Sequence, residues 1–344
     1  MRHRLLVVIA VMALFVAGCT GTGTDTTSAG NGSPDTTEAS EGGEVWYLDV
    51  TDANPLIEAM AQGINDRLVA GGYTMIRTFA LNPTSGQLDL SMQSQGFDRA
   101  LAASPKAIAY FLLDPTSLRP QVERATEEGI PVFAAFGRPD GFDVTGYISL
   151  DDDQQGYLAA KYLADSLPAG SQVAVITGPP TPNVEAEVAG AMRALEEADL
   201  EIVGDVESQR NLQDNTAGGQ AVMQGIIQQF PDIDGIFAYN DDTALGAIAA
   251  ARAAGIEVAV TSRNGSDDAI EAIRARDLLA TCDIEPVEFG AALGDAIIEY
   301  IEGGALGSAE IPGPDASDCL VTADNVDDWI PWHERIEVRE IEEG

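Results

Sequence analysis

The chain is poor in the side chains that carry covalent chemistry. Its 344 residues include two histidines and three cysteines. A hydrolase or transferase needs a nucleophile with a base to activate it. His3 lies at the extreme N-terminus, and His333 sits in a C-terminal tail beside Trp329 and Trp332, where surface packing suits it better than catalysis. Histidine and cysteine are too few for a zinc site. No G-x-x-x-x-G-K phosphate loop occurs, and Gly21-Thr22-Gly23 does not follow a strand, so it is no dinucleotide fingerprint. Asp151-Asp152-Asp153 offers oxygens to a hard cation, but such a run reads better as a solvated helix start. The adjacent carboxylates Asp241 and Asp242 point in different directions at a helix start, which suits them poorly to paired acid–base work on one atom. No catalytic residue, cofactor or metal is assigned. The chain reads as a binder.

Basic residues are also scarce. Eighteen Lys and Arg face 56 Asp and Glu, for a formal charge of -38, and Lys106 and Lys161 are the only lysines. Such a field repels nucleic acid and anionic lipid surfaces, so neither is an expected partner. Two origins of the acidity stay open: a saline habitat, in which screening removes the self-repulsion, or a codon bias favouring Arg, Asp and Glu.

Long apolar runs are confined to one place. Leu5 to Gly18 is an uninterrupted run of 14 residues behind Arg2 and Arg4. It is shorter than the roughly 20 residues a spanning helix needs, and it suits the core of a signal peptide over residues 1–18. The run ends in Val16-Ala17-Gly18-Cys19, similar to a bacterial lipobox, which makes Cys19 the expected lipidation site; a signal peptide with an incidental cysteine is the alternative. Residues 20–43 hold no apolar side chain larger than alanine or proline, and 19–43 reads as a disordered tether. Together these predict an exported protein anchored by lipid at the outer face of the cell membrane or in the periplasm. In an oxidising compartment the even pair Cys282 and Cys319 reads as one disulfide, with two buried thiols as the alternative.

From Val45 onward short apolar strands alternate with helical stretches, the pattern of βαβ units around a parallel sheet. Strands are predicted at 45–50, 73–79, 107–112, 130–133, 172–177, 201–206, 235–238, 258–262 and 279–283. Helices are predicted from Pro55, where Leu56, Ala59, Ile64 and Leu68 recur at helical spacing, and at 119–128, 183–198, 216–229, 242–254 and 287–302. The pattern restarts after about residue 150, which predicts two lobes of similar α/β architecture.

Three segments carry a resemblance. Asp52-Ala53-Asn54-Pro55-Leu56 resembles the N-N-P-F-F turn of periplasmic sugar-binding proteins of the ribose-binding type. Leu113-Asp114-Pro115, followed by Glu128-Gly129-Ile130-Pro131-Val132, is similar to their N-P and A-G-I-P-V segments. Phe237-Ala238-Tyr239-Asn240-Asp241-Asp242-Thr243-Ala244-Leu245-Gly246 is similar to their F-A-x-N-D-x-x-A-L-G segment. The resemblance implies a type I periplasmic binding protein: two Rossmann-like α/β lobes with parallel sheets joined by three hinge crossings, near 149–151, 283–286 and 312–317. The N-terminal lobe would hold 44–149 plus 285–313, and the C-terminal lobe 150–284 plus 314–344. Regulators of the lac-repressor type share this fold, but no helix-turn-helix precedes it here.

The implied function is that of the solute-binding subunit of an ABC importer, a monomer that closes on a small molecule and meets an ABC permease; a sensor presenting its closed form to a membrane kinase is the alternative. The resemblance places Asn54, Asn240 and, with a one-residue shift, Arg138 among the groups that hydrogen-bond the ligand. Asn264 stands where the family carries an Asp, and Glu185 where it carries an Arg. Leu56 and Ile57 replace aromatics, and Phe136 and Tyr239 are candidates to supply others. Asp283 ends a strand facing the cleft, where ligand contact and hinge-holding both stay open. An acidic pocket of this kind favours a neutral sugar, polyol or amine-bearing analogue over an anion.

Overall fold

Strands of the kind seen here, such as Glu44–Asp49 with five of its six residues buried, are apolar on both faces because helices cover both sides of a parallel sheet. The computed structural model describes residues 42–52, 54–336 and 342–343. The expected signal peptide, Cys19 and nearly all of the expected tether lie outside the described residues. In chain order the elements are β1 (Glu44–Asp49), α1 (Pro55–Ala70), β2 (Thr74–Phe79), α2 (Leu90–Ala103), β3 (Ala107–Phe111), α3 (Arg119–Glu127), β4 (Val132–Ala135) and β5 (Gly146–Ile148). There follow α4 (Asp152–Ser166), β6 (Gln172–Ile176), α5 (Pro182–Glu197), β7 (Glu201–Ile202), α6 (Thr216–Gln229), β8 (Gly235–Ala238), α7 (Asp241–Ala254), β9 (Ala259–Asn264) and α8 (Asp267–Arg274). The chain closes with β10 (Ala280–Asp283), α9 (Pro286–Gly303), β11 (Glu310–Ile311), β12 (Leu320–Thr322) and β13 (Glu342–Glu343).

Two sheets result. The first has the order β11-β5-β4-β3-β1-β2-β13 and the second β12-β10-β9-β8-β6-β7. Within each sheet, every strand pairing among the described residues is parallel except β10 with β12. Each sheet is covered on both faces: α1 packs along α9 on the first, while α4 with α5 and α6 with α7 pack as pairs on the second. Among the described residues no helix is long and apolar enough to cross a membrane.

The chain moves from one sheet to the other after β5, after β10 and after β11. It moves once more at the tail, which departs from expectation. Residues 314–344 are expected in the second lobe, yet β13 pairs with β2 at the edge of the first sheet, and Trp332 is buried in the first core. The indole of Trp329 donates to Asp283 at 2.7 Å and Arg335 donates to the same carboxylate at 2.9 Å. These contacts lead the tail back across the crossing. Residues 201–206, expected to be one strand, pair only over Glu201–Ile202, because Asp205 caps a short 3-10 turn at Val206–Ser208. Helices α2, α4 and α8 carry no predicted range; Asp89 caps α2 by accepting the Ser91 amide, and Asp151 caps α4 by accepting that of Gln154.

Cys282 on β10 and Cys319 ahead of β12 are joined as a disulfide with Cα atoms 4.7 Å apart, 37 residues apart in sequence. The bridge closes a loop containing all of α9 and fastens two of the crossings. On the chain-entropy estimate a loop of that size stabilises by roughly 4 kcal/mol. Thiol titration of the denatured, unreduced chain is expected to leave these two cysteines unreactive, and reduction is expected to lower the melting temperature. Two reactive thiols in this pair, or no change on reduction, would contradict the assignment.

Candidate functional site

In open parallel sheets a ligand meets the loops that leave the carboxyl ends of the strands. The ends of β1, β3 and β4 in the first sheet face those of β6, β8 and β9 in the second across a cleft, with Val50, Phe111 and Phe136 on one side and Pro179, Tyr239, Asn240 and Arg263 on the other.

Two asparagines meet there, and each does two things. Asn54 is the N-cap of α1, its Oδ1 accepting the Leu56 amide at 3.0 Å. Asn240 caps α7, its Oδ1 accepting the Thr243 amide at 2.9 Å. With its oxygen spent on the helix, each turns its Nδ2 donor into the cleft. Both donors reach Asp214: Asn240 at 2.7 Å and Asn54, from the opposite lobe, at 3.3 Å. The Tyr239 hydroxyl donates to the same carboxylate. Burial pushes the Asp214 carboxyl up to about 6, against the pull of the Tyr239 hydrogen bond. Asp214 has φ of +49°, a left-handed conformation uncommon for a residue with a Cβ.

The first lobe contributes an apolar floor. The rings of Phe111 and Phe136 lie 4.6 Å apart, and Phe289 continues the stack 4.8 Å beyond Phe136. Leu56, Ile57 and Leu88 complete that side.

The second lobe contributes a buried charge network. Arg263, at the end of β9, donates to Gln155 at 2.8 Å and to Glu187 Oε2 at 3.1 Å, and also to Asp152. Glu187 is wholly buried, and its Oε1 has no hydrogen-bond partner. Burial drives its carboxyl up to about 8, opposed by Arg263 and reinforced by Asp152. The network closes because α4 and α5 approach at glycines: a Cβ on Gly156 would lie 2.0 Å from the Glu187 carbonyl oxygen, and one on Gly190 1.9 Å from that of Asp153.

Of the expected ligand residues, Asn54, Phe136, Tyr239, Asn240 and Asn264 all border this cleft. Three are placed elsewhere. Arg138 is 65% exposed, 3.9 Å from Asp143, and lies over the Tyr147 ring. Phe136 at φ +63° and Gly137 at φ +143° turn the chain outward ahead of it. Glu185 is 48% exposed and paired with Arg210 at 2.8 Å. Asp283 is buried behind the cleft, where Trp329, Arg335 and the Glu285 amide donate to it. Asp214 and Glu187 are acidic groups of the cleft that the sequence motifs do not single out. Glu187 had a signal, since it falls on the apolar stripe Val184–Val188–Ala191–Leu195 of α5; a charged residue in such a stripe is buried and must be paired. Asp214 lies in an irregular loop with no pattern to reveal it.

Several carboxyls in and around the site hold protons tightly. Asp152, Asp214 and Asp241 sit at about 6, Asp49 at about 7 and Glu187 at about 8, in each case chiefly through burial. In the unfolded chain such groups titrate near pH ~4. Between about 4 and 8 the folded state therefore binds more protons than the unfolded one, and stability falls as pH rises through that window. The melting temperature is expected to be higher at pH 5.5 than at pH 8.5, with Glu187→Gln flattening the part of the loss above neutrality. A melting temperature that rises with pH would contradict the burial of these groups.

The profile of the periplasmic binding protein domain matches residues 49–305. The ribose import binding protein RbsB of Bacillus subtilis is 27% identical over 252 residues, 73% of this chain and 79% of that protein. The xylitol-binding protein of Mycolicibacterium smegmatis is 26% identical over 325 residues, 92% of this chain and 86% of that one. A periplasmic solute-binding protein of an ABC transporter from Actinobacillus succinogenes 130z, solved with bound D-allose, superposes with a TM-score of 0.75 at 25% identity, covering 83% of this chain and 99% of its own. Two mostly parallel sheets clothed in helices, with a cleft at their facing carboxyl ends, are the type I architecture of these neighbours. The chain belongs to the periplasmic binding protein domain family.

Proposed function

We propose that the chain is the solute-binding subunit of an ABC importer, which closes two lobes on a sugar or sugar-like polyhydroxylated ligand and delivers it to a permease. The lobes divide near residues 149–150, 284–285 and 313–314. The observation that carries the reading is the pair Asn54 and Asn240, whose amide donors enter one cleft from opposite lobes and meet at Asp214. A ligand with several hydroxyls satisfies such a set, because each hydroxyl both donates and accepts. Phe111, Phe136 and Tyr239 supply apolar faces for the carbon skeleton, with Asn264 at the second-lobe rim. The ribose, xylitol and D-allose named for the relatives are ligands of this class. Capture and release without turnover follows from this reading.

Calorimetry with D-ribose, D-allose and xylitol tests it. Asn54→Ser and Asn240→Ser keep a cap acceptor and remove the amide donor, so each is expected to weaken binding by about 1–3 kcal/mol. Binding indifferent to both substitutions would overturn the assignment.

The same reading places the protein at the outer face of the membrane through a lipid on Cys19, with residues 20–43 as its tether. Mass spectrometry of the membrane fraction is expected to find an acylated Cys19 at the mature N-terminus. A mature chain that starts elsewhere would contradict it.

A further inference from the structure

Charge in the cleft is one-sided. Its cation, Arg263, is shared between Asp152 and Glu187 within the second lobe. Asp214 adds a second carboxylate to the lining beside Glu187, with no cation next to it; its partners are the neutral Asn54, Tyr239 and Asn240. The surplus is of acceptors as well as of charge. Glu187 Oε1 and Asn183 Oδ1 are both buried, both belong to residues that border the cleft, and both lack a partner. A buried acceptor without a donor costs free energy, and for Glu187 burial avoids part of that cost by favouring the protonated carboxyl over the carboxylate. A ligand that brings several donors and a positive charge removes that cost; an anion adds to it.

We propose that the ligand is a polyhydroxylated compound bearing a protonated amine, an amino sugar or amino polyol, and that Glu187 Oε1 receives its ammonium group. This rests on the reading of the cleft as a polyol site and narrows it. The other titratable or charged groups facing Glu187 are Arg263 from β9, Asp152 from α4, Asp241 from the start of α7 and Tyr239 from the end of β8. Arg263 is the one cation among them, and it already holds the second oxygen of Glu187. An ammonium on the free oxygen completes the carboxylate without disturbing that pair. Because burial keeps Glu187 largely protonated at neutral pH, accepting a cation requires it to release its proton. Amine binding therefore strengthens as pH rises towards about 8, while binding of a neutral polyol is nearly flat over the same range.

The test compares matched probes on the full chain: xylitol and myo-inositol, the monoamine of each in which one hydroxyl is replaced by a primary amine, and the corresponding monocarboxylic acids. At pH 7.5 an amine is expected to bind on the order of tenfold more tightly than its neutral counterpart, the scale of one charge-assisted hydrogen bond, and the acids not measurably. Calorimetry of the unaltered chain in two buffers of different ionisation enthalpy is expected to show proton release on amine binding and none with the neutral probe. Glu187→Gln is expected to abolish both the preference and the proton release. A neutral probe that binds as tightly as its amine, or amine binding without proton release, overturns the amine assignment and leaves the polyol reading standing. Binding of none of the probes, with none of D-ribose or D-allose either, overturns both.

Discussion

A guanidinium cannot be carried into a protein interior unless other groups surround it with acceptors and opposite charge. Arg263 imposes that condition on the second lobe. It is buried at the carboxyl end of β9 and draws Asp152 and Gln155 from α4 and Glu187 from α5 around it. The start of α4 is also where the chain first enters the second sheet, so this network fixes how the lobe begins. The glycines at 156 and 190 follow from it, because the two helices must approach closely enough for both to reach one guanidinium. Removing Arg263 itself would leave Asp152 and Glu187 without the cation that matches them, and breaking a buried pair in this way costs about 3–5 kcal/mol. The same condition sets the electrostatics of the cleft. Once Arg263 is matched, its positive charge is no longer on offer to a ligand, and the ionisable groups left to the cleft are the carboxyls of Glu187 and Asp214, beside the neutral donors of Asn54, Asn240 and Tyr239.

The strand ends divide their polar residues between holding the fold and facing the cleft. Asp241 is taken up entirely within the second lobe, accepting from Ser262, Thr281 and the Ser266 amide. Asp283 is taken up by the tail and the crossing. Asn54 and Asn240 are different because a side-chain amide has two ends. One end caps a helix, and the cap orients the other end toward the cleft at no further conformational cost. Asp214 is where the two lobes touch through these amides, so the residue that bridges the lobes is also the residue a ligand must share donors with.

The architecture was legible because the alternation of buried strands with amphipathic helices is written locally. Helix α6 occupies the predicted 216–229, and α1 starts at the predicted Pro55. Elements with weak local signals were not read: β5, β11, β12 and β13 are two or three residues long and exist only by pairing with distant partners. In the site, residues tied to a strand end or a helix cap could be named in advance. Glu185 and Glu187 lie on one helix yet in opposite environments. Residues two positions apart on a helix are separated by about 200°, so one carboxylate faces Arg210 at the surface while the other faces the core. Choosing between them needed the direction of the apolar stripe rather than a motif. Arg138 failed for a backbone reason, since the left-handed turn at Phe136 and Gly137 is not encoded by residue type alone.

Hydrogen exchange followed by mass spectrometry, with and without D-ribose, D-allose or xylitol, addresses the central claim that the ligand lies between the two rims. Slowed exchange is expected together in the segments around residues 54–60, 183–190, 211–216 and 239–246, which lie on both lobes and include the caps that present the donors. Protection confined to one lobe, or found only at surfaces away from these segments, would contradict it.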